Sequence, residues 1–360
     1  MPDRPLRLDA KPAVACVMLA PGMGGLEQSL VDYCEALLLE GHPVEAVVHP
    51  RWAGLAALER LPLAAITPLG NLNERDPLAI RRLRRRWRAT PPELTLTIGR
   101  RASALTRRAR RRLPPLPQVG VTPNYSLAPL IGLDHVIATT ADLRRALIAA
   151  GQPAERITVV PNLVRLPPAV PAAERHPELP PVIGALGRLI ARKGFADLLE
   201  AAALLAARGY PFELRLGGSG PEEAALRAQA RRLGLAEQVR FPGWVEDKPG
   251  FFEPLDVFCV PSREEPFGIV ALEGMAHRRA VVATTAAGPR EIVRDGVDGL
   301  LVPPASPPAL ADALAALLDD PARRAALADA GRETVRARFD LPVVAKLISA
   351  TLTDVVAGRS

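Results

Sequence analysis

Lysine is almost absent from this 360-residue sequence: only Lys11, Lys193, Lys248 and Lys346 occur, so nearly all of the 46 basic residues are arginines. Arginine use this uniform reflects base composition, and it weakens any functional reading of an arginine run taken alone. Cysteine is scarce too. Cys16, Cys34 and Cys259 are odd in number and sit in apolar surroundings, which fits reduced structural thiols and not a disulfide framework. No Cys/His spacing suggests a metal site. No window reaches the roughly 18 uncharged apolar residues of a membrane span, so no transmembrane helix is expected. The apolar run at 13–20 is short and leads straight into a glycine-rich turn, unlike a signal peptide. Together these absences place the expectation in the cytoplasm.

What is present is an α/β pattern. The length favours two domains over one, and 48% apolar with 24% charged residues is ordinary for a globular chain. A buried strand is expected over 13–20, a glycine turn over 21–25, a helix over 26–40 closed by Gly41, and a strand over 44–48. That strand–turn–helix–strand unit implies a parallel sheet. A dinucleotide fingerprint is not complete here. Gly22, Gly24 and Gly25 lack a third glycine at the required offset, and no acid closes the second strand, which disfavours a nicotinamide cofactor. Further strands are expected over 64–66, 94–98, 119–122, 136–138 and 157–160, with a helix over 141–150. Residues 167–181, rich in proline and polar residues, read as a linker. After it the alternation resumes: strands over 182–186, 212–216, 239–241, 257–260 and 280–284, and helices over 195–207, 222–233, 269–276, 308–318, 321–337 and 342–357. The expected domains are 1–166 and 182–340, with the last helix, 341–360, packing back on the first. Two doubly wound units facing across a cleft are expected, with the ligand in the cleft.

One stretch carries most of the chemistry. Within 260–304, Glu265 and Glu273 are separated by seven residues, and Glu-Pro-Phe-Gly opens a short helix. Glu273 lies five residues beyond Gly268, roughly 7.5 Å along a helix at about 1.5 Å per residue. That is about the step from a phosphate, favoured at the helix N-terminus, to a ribose whose hydroxyls a carboxylate accepts from. Upstream, Arg188 and Lys193 share one loop after a strand, where two cations can stabilise a departing diphosphate. No Asp-x-Asp motif implies a metal. Both charge pairs also have a plain structural reading, as solvated acids and surface ion pairs.

At these residues the sequence resembles the retaining GT-B-fold glycosyltransferases of group 1, or family 4. The matching segments, in order, are GRLIARKG, LRLGGSGP, VRFPGWV, VPSREEPFGIVALEGMA and GPREIVRDGVDGLLVPP, covering 182–305. The first half matches more thinly, through MGGLEQSLVDYCEALLLEGHPVEAV and the PNLV hinge at 161–164. The resemblance implies a sugar moved from a nucleoside diphosphate-sugar, UDP or GDP being the expected carriers, to a glycan or lipid-linked acceptor in cell-envelope polysaccharide or lipopolysaccharide synthesis. No further cofactor is implied. By resemblance Arg188 and Lys193 serve the leaving group, Glu265 the transferred sugar and Glu273 the ribose. Phe267, Gly268 and Ile269 belong to the donor site, as do Gly24 and Gly25 from the first domain. Gly218 is either a tight turn or a close approach to base or phosphate, and Val245 flanks the base. Many members carry a histidine in a first-domain loop where this chain has Pro123 and Asn124. Either Asn124 supplies that polar contact, or the chain is a catalytically impaired nucleotide-sugar-binding module.

Charge is uneven. Residues 75–112 hold fourteen arginines against Asp76 and Glu93, a local +12. This is a solvated face, or a surface for anionic membrane or an acidic acceptor. Trp87 alone offers an aromatic for stacking, which disfavours nucleic acid.

Overall fold

The computed structural model describes residues 11–20, 25–122, 124–168 and 179–358. The chain divides into two compact units, Met1–Leu163 with Leu341–Ser360, and Val164–Asp340.

The first unit opens with β1 (Val14–Met18), α1 (Gly25–Leu39) and β2 (Val44–Val48). Both strands are buried along their whole length, as near-continuous apolar strands covered on two faces are. Then come α2 (Leu55–Leu58), β3 (Ala65–Pro68), α3 (Pro77–Ala89), β4 (Leu94–Ile98), α4 (Arg100–Arg110), β5 (Gln118–Thr122), β6 (His135–Ala138), α5 (Ala141–Ala149) and β7 (Ile157–Val159). The sheet is parallel, in the order β3-β2-β1-β4-β5-β6-β7. Strand order therefore reverses between β1 and β4.

The arginine-rich segment contains two helices, α3 and α4. Arginine is a good helix former, and the apolar positions keep helical spacing: Ala79, Leu83 and Trp87 are buried on α3, and Ala102, Leu105 and Ala109 on α4. Asp76 caps α3, accepting from the amides of Leu78 (2.9 Å) and Ala79 (3.1 Å), with proline at the start of the helix. A bond from the Leu72 amide, with those from Ala79 and Leu78, holds the Asp76 carboxyl below its ordinary pKa. Trp87 is core and unavailable for stacking.

The second unit runs β8 (Val182–Leu186), α6 (Phe195–Ala207), β9 (Glu213–Gly217), α7 (Glu223–Arg232), β10 (Val239–Gly243), α8 (Lys248–Phe252) and β11 (Val257–Val260). It continues with α9 (Ile269–Ala276), β12 (Ala280–Thr284), α10 (Ala287–Ile292), β13 (Leu300–Val302), α11 (Pro307–Asp319) and α12 (Pro321–Arg338). Its parallel sheet has the order β10-β9-β8-β11-β12-β13, reversing between β8 and β11. The Gly-Pro-Arg-Glu segment lies in α10, because proline is compatible with the first helical turn. Val164 and Leu166, expected to close the first domain, belong to the second. Their amides donate to Phe339 O (2.9 Å) and Asp340 Oδ1 (3.3 Å).

The last helix, α13 (Leu341–Val356), lies in the first unit. Its Val344, Ala345, Ile348 and Leu352 share a core with Leu30, Cys34 and Leu37 of α1. Among the described residues no helix is long and apolar enough to cross a membrane.

Candidate active site

Parallel α/β sheets bind ligands beyond the carboxyl ends of their strands, where strand order reverses. In the second unit that point lies between the loops following β8 and β11, and it is where the spaced charges meet. The β8 loop runs from Gly187 through Arg188 into a short 3-10 turn, Ala191–Lys193. Gly187 N donates to Gly217 O (3.0 Å) and Leu189 N to Ser219 O (2.9 Å), so this loop lies against the glycine turn after β9. A Cβ on Gly218 would fall 1.8 Å from Gly187 O, and one on Gly220 would fall 2.3 Å from Leu189 O. The close approach that Gly218 permits is to the backbone of the cation-bearing loop. Arg188 is exposed on that loop, while Lys193 is half-buried.

Lys193 Nζ donates to Glu265 Oε2, and Ser262 Oγ reaches the same oxygen at 3.4 Å. This ion pair joins the loops after β8 and β11. The β11 loop is fixed from below by Thr284 Oγ1, which donates to Ser262 O (2.5 Å). Beyond it, Gly288 N donates to Glu265 O (2.8 Å), and a Cβ on Gly288 would lie 2.1 Å from Phe267 O. Phe267 is buried, and Gly268, at φ 95°, turns the chain into α9. Ile269 is the first residue of that helix, where amides have no intrahelical partner.

Glu273 stands one turn further along α9, and its Oε1 accepts from Lys248 Nζ of α8. Each glutamate of the spaced pair is thus neutralised by one of the four lysines. Behind Glu273, His277 Nδ1 donates to the Glu273 carbonyl (2.8 Å) and the imidazole stacks on Phe252, ring centroids 4.4 Å apart. Burial lowers the pKa of His277, although the bond to the Glu273 carbonyl opposes the shift. Val245 packs on Gly217 and lines a groove of ≈ 730 Å³ with Arg215, Arg240, Trp244 and Asp247. The groove follows the β9–β10 edge and does not include Lys193 or Glu265.

The first unit contributes less. Gly24 and Pro123 lie outside the described residues, and Gly25 begins α1. Asn124 is exposed, and its Oδ1 accepts from Ser126 N (2.9 Å) in a local turn. His135 bonds Thr158 Oγ1 (2.9 Å) between neighbouring strands, a structural position.

Sequence reasoning missed Lys248, Ser262, Asp197 and Arg263. Lysine scarcity was the signal for Lys248: where lysine is rare, a second half-buried one is worth pairing with a carboxylate. Arg263 was concealed by the abundance of arginine.

Residues 168–334 match the family described as glycosyl transferases group 1. Lipopolysaccharide core biosynthesis glycosyltransferase LpsE of Rhizobium meliloti is 29% identical over 319 residues, covering 88% of this chain and 92% of LpsE. LpsD of the same organism is 37% identical over 186 residues, 51% of this chain and 53% of LpsD. The chain therefore spans about half the length of LpsD and nearly all of LpsE. Among solved structures, HepE from Anabaena, in complex with UDP and glucose, superposes with a TM-score of 0.78 at 24% identity, over 95% of this chain and 99% of that one. A glycosyltransferase from Rickettsia africae gives 0.81 at 19% identity, over 97% and 100%. Two doubly wound parallel sheets with this strand order, the five ordered motifs and these likenesses agree on the GT-B fold, and through residues 168–334 the chain matches the group 1 glycosyltransferases.

Proposed function

We propose that this protein is a retaining glycosyltransferase. It moves a sugar from a nucleoside diphosphate-sugar, held by the second unit, to a glycan or lipid-linked acceptor of the cell envelope. The observation that carries this reading is the Lys193–Glu265 ion pair at the strand-order reversal, with Lys248–Glu273 one helix away. Without donor, each cation is held in place by a carboxylate. When a donor enters, its diphosphate takes Lys193 and Arg188, and Glu265 is released to accept from sugar hydroxyls. Glu273 accepts from the ribose. Phe267, Gly268 and Ile269 present the start of α9 to phosphate, and Val245 flanks the base. Gly218 acts through the Arg188 loop. Two cations at the leaving group stabilise the charge that develops on the diphosphate, so no resident metal is needed. In a front-face transfer the departing phosphate accepts the acceptor proton, which frees the reaction from a histidine at Pro123 or Asn124.

The relatives support this reading: LpsE and LpsD are named for lipopolysaccharide core synthesis, and HepE was solved with UDP and glucose. The acceptor side falls to the first unit. Arg81, Arg82, Arg85 and Arg88 are exposed on α3, and Leu72 and Leu78 beside them are 86% and 64% exposed. A basic face with exposed leucines fits the anionic inner surface of the cytoplasmic membrane, which makes this a cytoplasmic, peripheral enzyme. Engagement of Asn124 Oδ1 within its own turn favours a second reading, a nucleotide-sugar-binding module with impaired turnover. The deciding experiment is a thermal-shift screen of UDP, GDP and their sugars, followed by donor turnover. Stabilisation by one nucleoside diphosphate together with turnover of its sugar supports the enzyme. Stabilisation with no turnover on any acceptor supports the module, and no stabilisation by any of them sinks both.

A further inference from the structure

We infer that Arg263 is a positioning residue: with Asp197 it clamps the Lys193 loop to the Glu265 loop and so sets where the Lys193 ammonium stands. This rests on the donor-site reading above. The clamp is a planar fork, with Arg263 Nε 2.7 Å from Asp197 Oδ2 and Nη2 2.6 Å from Oδ1. Asp197 sits in the first turn of α6, four residues after Lys193, and its side chain is only 8% exposed. A carboxylate that dry needs a paired cation, and Arg263 raises its own pKa in supplying it, chiefly through this hydrogen-bonded pair.

The backbone around the clamp is built for contact. The amides of Arg263 and Glu264 both donate to Arg192 O, at 2.8 and 3.2 Å. Gly194, the residue after Lys193, has φ 69°, and a Cβ there would lie 1.9 Å from Pro261 O. The two loops therefore touch main chain to main chain at the strand-order reversal. The Lys193–Glu265 pair cannot impose that geometry itself. An ammonium is a point charge on a four-carbon stem, whereas a bidentate guanidinium fixes distance and orientation together. Misplacing a catalytic charge by about 1 Å can cost about 10²-fold in rate, and this is the loss expected in transfer when the clamp is removed.

The scarcity of lysine supplies a test that does not depend on activity. Trace acetic anhydride acetylates exposed amines, and mass spectrometry can follow Lys11, Lys193, Lys248 and Lys346 separately. Arg263→Ala should raise the Lys193 rate several-fold and leave the other three unchanged. Arg263→Lys should restore part of the protection. The double variant Asp197→Asn with Arg263→Met removes the clamp without leaving a buried charge unpaired, and it should behave as Arg263→Ala does. An unchanged Lys193 rate in both unclamped variants overturns the inference, as does a rise at all four lysines together, which would mean general loosening. The donor reading is tested apart from this. If neither UDP nor GDP slows acetylation of Lys193 in the unmodified protein, that reading fails, while the effect of Arg263 on the unliganded loop still decides the clamp.

Discussion

The two units share a strand order over six strands, the first adding β7, but differ in where their charge is placed. In the second, charge is gathered at the strand-order reversal and paired. Lys193 with Glu265 and Arg263 with Asp197 join the loops after β8 and β11, and Glu265 and Asp197 have side chains only 9% and 8% exposed. In the first, the exposed positive charge lies on α3, where Arg81, Arg82, Arg85 and Arg88 face solvent, while the arginines of α4 are half-buried or, like Arg100, ion-paired. There the paired arginines hold structure: Arg86 bonds Glu45 across to β2, and Arg107 donates to the carbonyls of Pro129 and Ile131. One fold can thus carry two kinds of surface, because loops and helix faces vary while the sheet does not. Half-buried, paired charge in the second unit points to a site made for a small anionic ligand. Exposed charge on α3 is what the proposed anionic surface would meet.

The contrast breaks most sharply at Lys193. Lys193→Ala should lower donor turnover by about 10²–10³-fold, as loss of one charge-stabilising donor does, whereas removing any one α3 arginine should leave turnover of soluble donor unchanged. Chromatographic product release from a panel of UDP- and GDP-sugars measures both. Equal losses at Lys193 and at Arg85 would erase the distinction between the units.

Glu273 comes next. A charged group that accepts a hydrogen bond is worth about 1.5–3 kcal/mol, so Glu273→Ala should weaken the stabilising nucleoside diphosphate by about 10–10²-fold in calorimetric titration. Lys248→Ala should weaken it less, because Lys248 orients the carboxylate and is not assigned to the ligand. A larger effect at Lys248 than at Glu273 would reverse the roles given to this pair.

A smaller effect is expected at the basic face. Each of Arg81, Arg82, Arg85 and Arg88 should contribute about 1 kcal/mol, roughly fivefold, to binding vesicles containing anionic lipid, and less as salt rises. Flotation with phosphatidylglycerol and with phosphatidylcholine vesicles measures this. Equal binding to both at low salt would leave α3 as a solvated face.

Most of the architecture was legible because fully buried parallel strands are apolar runs, many of them closed by glycine or proline, as 257–260 is by Pro261. The placement of Glu273 was legible for a similar reason: the helix expected over 269–276 is α9, and a helix imposes a fixed rise from its first residue. Two things were hidden. The helices α3 and α4 were masked by their own arginines, which surround the few apolar positions, such as Leu83 and Trp87, that carry the helical period. The partners of the glutamates were hidden because Lys193 and Glu265 lie 72 residues apart, and only the sheet topology brings the ends of β8 and β11 together. Asp197 and Arg263 met in the same way. Sequence position could not reveal a pairing that depends on which strands are neighbours.

The least effect is expected from the device that fastens α13 to the first unit, and it contrasts with the charged clamp of the second. His42 is buried, with Nδ1 2.9 Å from Pro12 O and Nε2 2.8 Å from Ser349 Oγ. A carbonyl only accepts, so Nδ1 carries the proton and Nε2 accepts from the Ser349 hydroxyl. That hydroxyl in turn accepts from Lys11 Nζ at 2.9 Å. Burial disfavours the imidazolium and lowers the His42 pKa below 6.5, against an opposing contribution from the Pro12 carbonyl. The unfolded chain therefore binds the proton more readily, and stability is whole above about pH 6.5 and falls as pH drops through and below it, by at most about 1.4 kcal/mol per pH unit for one group. Trp52 and Trp87 are buried in the first unit, whereas Trp244 of the second is 64% exposed, so tryptophan fluorescence during urea unfolding reports mainly on the first. His42→Gln should flatten this acid-side slope without abolishing it, because burial lowers the His135 pKa in the same direction. An identical slope in the variant would mean that α13 is held by apolar packing alone.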